Sequence, residues 1–297
     1  MKILITGATG FIGNNVLKKI VVKYSPEKVI ALSSQNIAGI KTIPSKGYDF
    51  DKNYLKENGC YDVEVLMHIG SFTPKSLAHV DNMEETTMNI VNTQNLLKSD
   101  LPFLKKIVFI STIDVYAHIS EPLTELTDTN PSGLYGWSKL YCEQLVLKHC
   151  IKNHLDYEIL RLGHVYGEGE EKYQKAMPIM IKRAIEGKNL NIYGDGEAIR
   201  SFIYIADVAK AIVTAIELDE SEVINIVGDE SVTINRLAEM IRSFASEKVD
   251  IIHIPTDVPN VDFIFDNTKL KKYLIDELTP LYVGLKREYD YMKERLT

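Results

Sequence analysis

The chain reads as a doubly wound parallel α/β sheet with a smaller C-terminal α/β lobe. Three observations predict this. Short, nearly continuous apolar runs alternate with segments of helical period as far as about residue 166. Strands that are apolar on both faces belong to parallel sheets covered by helices on each side. A glycine-rich turn joins the first such strand to the first helix, and after Gly167 the rhythm becomes shorter and less regular. Right-handed crossovers between successive parallel strands then give the doubly wound topology.

The elements follow in order. Residues 3–5 form a strand, and apolar spacing predicts a helix over 11–22. Strands are expected over 28–32 and 63–69, with another shortly before Asp49. A helix covers 83–97, a strand 105–111, a helix 134–149 and a strand 157–162. Glu168, Glu170 and Glu171 make an acidic, solvated turn. Beyond it come a helix over 178–186, a strand entering a turn at 191–196, a helix over 207–218 and a buried strand over 223–227. A helix over 234–244, a strand near 250–253 and helical ends complete the chain. The expected division is a dinucleotide-binding unit of residues 1–166 plus about 207–228, and a substrate-binding lobe of 167–206 plus 229–297.

At 297 residues, 45% hydrophobic and 25% charged, the chain has ordinary globular composition and length for a sizeable core. Its net charge of −7, with no lysine- or arginine-rich run, speaks against a nucleic-acid partner. Cys60, Cys142 and Cys150 form no C-x-x-C pair and read as reduced, buried thiols in a cytoplasmic protein. The apolar run at the N-terminus stops at Thr6-Gly7, short of a signal peptide. No stretch approaches the ~20 apolar residues that span a membrane. The histidines are scattered, and His149 and His154 lack ligand spacing, so no metal site is expected. Met177 to Met180 read as lobe packing.

The turn Gly7-Ala-Thr-Gly10-Phe11-Ile12-Gly13 stands between the first strand and the first helix. Glycines there allow a tight bend and let a pyrophosphate approach the backbone, while the helix N-terminus offers free N–H groups and its dipole. The spacing is one residue wider than the usual dinucleotide fingerprint. It points to a Rossmann-type NAD or NADP site. Ser33 ends the second strand, where a carboxylate commonly binds the adenosine ribose of NAD. That missing carboxylate, with Lys41 not far on, leans slightly toward NADP. Asp49 is placed to hydrogen-bond an adenine, or simply to make a turn.

Tyr135 and Lys139, in Y-G-W-S-K, lie four residues apart on one helix face. The same spacing also arises in ordinary surface pairs. Lowering a tyrosine from near ~10 to neutrality requires roughly 3 units, about 4 kcal/mol, and a nearby ammonium supplies part of that.

Several segments occur in a telling order: G-A-T-G-F-I-G, H-I-G at 68–70, N-I-V-N-T-Q-N-L-L at 89–97, F-I-S-T-I-D-V-Y at 109–116, Y-G-W-S-K, L-R-L-G-H-V-Y-G at 160–167, and I-Y-G-D-G-E-A-I-R-S-F-I-Y-I-A-D at 192–207. With them the chain resembles the extended short-chain dehydrogenase/reductases of the NAD-dependent epimerase/dehydratase family, which act on nucleotide sugars. The resemblance runs from residue 1 to about residue 235. It implies Tyr135 as acid/base, Lys139 as a ligand of the nicotinamide ribose that also lowers the tyrosine pKa, and Thr112 as hydrogen-bond partner of the reacting oxygen. It implies Leu162 beside the nicotinamide and Arg200 on the nucleotide diphosphate. It also implies a homodimer formed through the helices over 83–97 and 134–149, although their apolar faces could pack inward instead. His164 stands where an asparagine is frequent, so it either faces substrate or is a packed histidine. Ala117 replaces a usual glycine. Dehydratases of the family carry T-D-E at 112–114, but here Ile113 takes the first acidic position and cannot donate a proton. Dehydration is therefore disfavoured, and Asp114 is expected to hydrogen-bond locally. The expected activity is hydride transfer at sugar C4, as a 4-epimerase or an NADPH-using 4-ketoreductase. A reductase of non-nucleotide carbonyls and a cofactor-binding non-enzyme are the remaining alternatives.

Overall fold

In the computed structural model, which describes every residue except 77–78, 118–121, 174, 258–259 and 297, the first strand, β1 (Ile3–Thr6), is buried along its whole length. After it come β2 (Val29–Ser33), β3 (Lys41–Pro44), β4 (Val65–His68), β5 (Lys106–Thr112), β6 (Asp156–Leu162), β7 (His164–Tyr166), β8 (Leu190–Tyr193), β9 (Ile199–Tyr204), β10 (Glu222–Ile226), β11 (Ser231–Thr233) and β12 (Ile251–Ile254). The main sheet has seven strands in the order β10-β6-β5-β4-β1-β2-β3, and every pairing in it is parallel.

The apolar runs of these strands divide by the two-residue period of a strand. Ile3, Ile5, Val65, Met67, Val108 and Ile110 enter one core. Leu4, Leu66, Ile107 and Phe109 enter the other. Helices α1 (Phe11–Tyr24), α2 (Met83–Leu97), α3 (Leu134–Asn153), α4 (Ala176–Ile185) and α5 (Ile205–Thr214) follow in chain order. α1 and α5 cover the first core through Val16, Ile20, Ala209 and Ile212. α2 and α3 cover the second through Leu96, Cys142 and Val146. α2 begins as its sequence dictates: the Asn82 side chain accepts the Glu85 N–H at 3.0 Å, and Glu84 and Glu85 complement the helix dipole.

After β6 the chain builds smaller sheets. β11-β9-β7 form a three-stranded sheet and β12 pairs with β8. α6 (Ile234–Arg242), α7 (Thr268–Tyr273) and α8 (Leu281–Leu296) complete the structure. β10 returns to the main sheet and pairs with β6, Glu222–Ile226 lying against Glu158–Leu162. The expected elements are therefore present, while β7, β9 and β11 were not foreseen. β7 and β11 are three residues each, and Arg200-Ser201 interrupt the apolar run of β9. Among the described residues no helix is long and apolar enough to cross a membrane. The three cysteines are unpaired and buried.

One acidic side chain is buried against the grain. Glu288 on α8 is fully covered, and neither carboxylate oxygen makes a hydrogen bond of ordinary geometry within the described residues. Burial, reinforced by Glu170, Glu168 and Glu171, pushes its pKa well above the usual carboxylate range, with the Gly167 amide opposing weakly. The folded state therefore favours the protonated acid. That contribution is complete below the unfolded value near ~4.3 and is lost as pH rises through the folded pKa. Thermal melts over a pH series should show the wild type losing stability toward alkaline pH. Glu288→Gln should flatten that slope and raise the alkaline melting temperature; an unchanged slope would contradict the assignment.

Candidate active site

The parallel strands end at one edge, where the ends of adjacent strands and the loops after them form the crevice typical of this topology. Gly7 takes φ +70°, and a Cβ there would lie 2.6 Å from the backbone of Gly70. A Cβ on Gly13 would lie 2.1 Å from the Gly7 carbonyl oxygen. Gly10 N–H closes the turn on that same oxygen at 2.9 Å. α1 then starts with no side-chain cap and no acidic residue in its first turn. The N–H groups of Ile12 and Gly13 are thus available to an anion, while that of Phe11 is turned to the Tyr173 hydroxyl. The Phe11 ring is buried and packs edge-on against Tyr173 at 6.0 Å, so Phe11 meets Tyr173 through ring and backbone alike. This cradle fits a dinucleotide pyrophosphate.

A directional chain of hydrogen bonds ties the turn to the helices behind it. Thr6 Oγ1 accepts the N–H groups of Ile69 (3.1 Å) and Gly70 (2.9 Å). Its own hydrogen then goes to His68 Nδ1 at 2.9 Å. That assigns the other ring hydrogen to Nε2, which donates to Thr93 Oγ1 at 3.0 Å. Thr93 donates in turn to the Asn89 carbonyl at 2.8 Å. Burial, helped by the Lys139 charge, pushes His68 down to about 3, so it stays neutral. The Asn89 amide accepts from Phe72 N at 2.7 Å and donates to Ser138 Oγ at 3.3 Å, and Ser138 donates to the Tyr135 carbonyl at 2.8 Å.

Tyr135 and Lys139 are both buried on the face of α3 turned to the sheet, which rules out the surface-pair reading. The Thr73 and Thr112 hydroxyls stand near enough to the Tyr135 phenol to favour its charged form. Thr112 Oγ1 also donates to Asp114 Oδ2 at 2.8 Å, the local bond expected of Asp114. The Lys139 ammonium donates to Ser71 Oγ at 3.4 Å and lies 4.4 Å from the centroid of the Phe109 ring. The expected lowering of the tyrosine pKa by Lys139 does not figure among the causes that set the Tyr135 value. Burial first, then the Asp114 charge, push Tyr135 above its ordinary value, against the opposing threonine hydroxyls. Lys139 is brought down to about 8 by burial, with Cys142 and Glu143 opposing. Desolvation penalises the charged form of each member.

The remaining expected residues are distributed as follows. Leu162 is buried at the end of β6, level with Thr112 and Ile226 in the neighbouring strands. Ser33, at the end of β2, accepts the Gln35 N–H at 3.1 Å. Asp49 is an exposed turn residue whose N–H bonds the Lys46 carbonyl at 3.1 Å. Lys41 opens β3 level with Ile30, and its ammonium stands where a Cβ of Gly59 would be, 1.9 Å away. It therefore serves the opposite end of the sheet from Ser33, and the lean toward NADP loses its cation. Arg200 is half-buried, with its guanidinium on the Ile199 carbonyl at 2.8 Å, on the Val261 carbonyl, and 5.0 Å above the Phe263 ring. His164 packs edge-on between Phe202 (5.8 Å) and Phe263 (5.6 Å). Burial, then Arg200 and Lys175, push it down to about 3, and its Nδ1 has no partner among the described residues. It is a packed, neutral histidine beside Arg200.

Two residues at the centre were not foreseen: Ser71 on the ammonium and Thr73 on the phenol. Both lie in S-F-T-P, directly after H-I-G. A polar segment leaving a buried strand beside the glycine turn was the available signal.

An α/β fold with a dinucleotide cradle and a Tyr-Lys-Thr cluster at one edge defines a class of nicotinamide-dependent enzymes. The sequence model of the NAD dependent epimerase/dehydratase family matches residues 3–227. The chain belongs to that family and is an enzyme of the extended short-chain dehydrogenase/reductase type. It is 28% identical over 273 residues to a UDP-N-acetyl-alpha-D-glucosaminuronate decarboxylase of Bacillus cytotoxicus, covering 85% of this chain and 83% of the relative. The structure is similar over 100% of both chains to UDP-glucose 4-epimerase of Thermotoga maritima, solved with UDP-glucose, at TM-score 0.87 and 25% identity. It is similar at TM-score 0.85 and 28% identity, again over 100% of both chains, to UDP-glucuronic acid 4-epimerase of Bacillus cereus in complex with UDP-glucuronic acid and NAD.

Gly13→Ala should test the cradle. The added methyl must displace the Gly7 carbonyl, so titration calorimetry should show NAD affinity falling by about tenfold or more, roughly 1.4 kcal/mol. Far-ultraviolet dichroism should remain that of the wild type. Unchanged affinity would place the pyrophosphate elsewhere.

Proposed function

We propose that the protein is a UDP-sugar 4-epimerase that binds NAD and uses Tyr135 as acid/base at the C4 oxygen. The observation that carries this reading is the burial of Tyr135 and Lys139 on the inner face of α3, with the Thr112 and Thr73 hydroxyls near the phenol, at the sheet edge that holds the glycine turn. When bound, oxidised nicotinamide supplies a hydride acceptor and a positive charge that favours the phenolate. Tyr135 takes the C4 hydroxyl proton as the sugar is oxidised and returns it when the other face is reduced. Thr112 and Thr73 fix the phenol oxygen. Lys139 is the ligand for the nicotinamide ribose, and Leu162 closes that side. Arg200 takes the diphosphate by exchanging neutral carbonyls for charged oxygens, a stronger bond. The sugar nucleotides bound by the Thermotoga and Bacillus cereus epimerases support the substrate class. NAD is proposed over NADP because of the Bacillus cereus complex and the position of Lys41.

Ile113 argues against elimination of water. Its side chain is buried in a cluster with Val115, Leu123, Val227 and Phe265, so no acid stands there. A 4-ketoreductase is the second reading, favoured by the raised Tyr135 pKa, which keeps the phenol ready to donate. The cofactor unit is proposed as residues 1–166 with 207–228, the substrate lobe as 167–206 with 229–297, and the location as cytoplasmic.

We also propose a homodimer through α2 and α3. Met83, Trp137 and Tyr141 are exposed at 72%, 48% and 55%, around a groove of about 440 Å³.

Proton NMR of UDP-glucose, UDP-glucuronic acid and UDP-N-acetylglucosaminuronic acid incubated with protein and NAD decides the activity. C4 inversion without net cofactor use is expected. Consumption of NADH or NADPH with a UDP-4-keto sugar would establish the reductase instead, and release of carbon dioxide or water would overturn both. Tyr135→Phe should lower kcat by about 10²-fold or more, with NAD affinity retained. In light scattering the wild type should elute as a dimer and Trp137→Glu as a monomer; a monomeric wild type removes the dimer.

A further inference from the structure

Glu143 lies on α3, four residues after Lys139 and eight after Tyr135, so all three share the helix face that meets the sheet. Its carboxylate accepts from Ser111 Oγ at 2.5 Å, Arg161 Nε at 3.0 Å and Arg161 Nη2 at 2.8 Å. All three side chains are buried. Ser111 and Arg161 stand opposite one another in the pairing of β5 with β6. Each immediately precedes a site residue, Thr112 and Leu162 respectively. The Arg161 guanidinium lies 4.8 Å from the centroid of the Tyr116 ring, and the Tyr116 hydroxyl donates to Asn225 on β10 at 2.6 Å. One carboxylate thus joins the helix of Tyr135 and Lys139 to two adjacent strands just behind the site, and through Arg161 and Tyr116 to a third.

We infer that Glu143 is a positioning residue, whose ion pair with Arg161 sets where Tyr135 meets Thr112 and where Lys139 meets Ser71. The inference rests on the reading of Tyr135 as the acid/base. Stability alone is a poor reason for the pair, because well-packed apolar side chains of similar volume usually stabilise a core as well as a buried ion pair does. What an apolar pair cannot supply is direction. The two-pronged Arg161–Glu143 contact fixes the rotation of α3 about its axis as well as its distance from the sheet. The same strands carry an internal control. Lys106 and Glu158 form a second buried ion pair, 3.2 Å apart, toward the other end of β5 and β6.

The test compares Glu143→Gln, the double variant Glu143→Leu with Arg161→Met, and Lys106→Met, each assayed well below its own melting temperature. A misplacement of about 1 Å costs on the order of 10²-fold in rate. Glu143→Gln and the double variant should therefore lose about 10- to 100-fold in kcat with little change in KM. Lys106→Met should lower the melting temperature and leave kcat near wild type. The pH profile gives a further readout. The Lys139 ammonium faces Cys142 and Glu143 on its own helix, His68 on β4, Phe109 on β5 and Ser71 in the loop after β4. Removing the Glu143 charge should move the alkaline fall of kcat/KM to lower pH, and Glu143→Asp should restore part of the shift. Crystal structures of wild type and Glu143→Gln with NAD should show Tyr135 displaced from Thr112 in the variant. Wild-type kcat in the double variant, or an undisplaced Tyr135 in the Glu143→Gln crystal, overturns the inference. A wild type that turns over no nucleotide sugar refutes the functional reading instead, and the crystal comparison then decides the role of Glu143 by itself.

Discussion

The site depends on how closely β1 and β4 approach at their C-terminal ends. Gly7 and Gly70 are packed backbone to backbone, with no room for a Cβ on Gly7. At that distance the Thr6 hydroxyl reaches both N–H groups of the departing β4 chain, which would otherwise be buried without partners. The hydroxyl has one hydrogen of its own, and His68 is the acceptor it finds. From there the order of donors is forced through Thr93, Asn89 and the backbone of α2. The same close approach that shapes the phosphate cradle therefore fixes the loop holding Ser71 and Thr73, and through Ser138 the first turn of α3. Cradle and proton-transfer cluster are one hydrogen-bonded construction.

Charge within that construction is set by burial more than by pairing. Tyr135 is driven toward its neutral form by desolvation and by Asp114, and Lys139 is driven the same way from the opposite side. The chain's own residues thus present a neutral phenol beside a weakened ammonium. The Phe109 ring and the Ser71 hydroxyl partly replace the ammonium's lost water, a cation–π contact being worth about 0.5–2 kcal/mol in such surroundings. Glu143 is the nearest formal anion on the same helix, yet its carboxylate is already saturated by Arg161 and Ser111. That saturation leaves the Lys139 ammonium to Ser71 and the Phe109 ring instead of to Glu143.

Most of the main sheet could be read from the sequence because both of its faces are covered. Short apolar runs such as 65–67 and 107–110, rich in branched residues, read as strands buried on both faces. α2 was legible to the residue, since Asn82 and two glutamates announce its start. Three strands of the later sheets were not legible: β7 and β11 have three residues each, too few to separate a strand from a turn, and Arg200-Ser201 break the apolar run of β9. The Tyr135, Lys139 and Thr112 cluster was readable from spacing and order. Its electrostatics were not, because the sign of the tyrosine shift depends on depth of burial and on the carboxylate at Asp114, neither of which spacing reveals. Ser71 and Thr73 were missed because loops carry no period, and their role exists only once β4 is placed beside β1. Arg200 shows the converse: the motif singled it out, but only coordinates show it on β9 with its guanidinium engaged by carbonyls and the Phe263 ring.

Ile113 shows how packing can fix the kind of reaction a site performs. It sits between Thr112, which touches the phenol, and Asp114, which shapes the field around it. Its own side chain turns away into the small core of Val115, Tyr116, Leu123, Val227 and Phe265. That core joins the strand edge to the later part of the chain, since Leu123 bridges directly to Phe265. A carboxyl group at position 113 in this packing would be buried among apolar side chains. An unpaired polar group there costs about 1–3 kcal/mol, and an ionised one more. On the proposed reading, position 113 offers no proton for eliminating water, since isoleucine carries none and the core it completes disfavours a carboxyl there. The proposed chemistry then rests on Tyr135 with the two threonine hydroxyls near it, a set suited to moving one proton in step with one hydride.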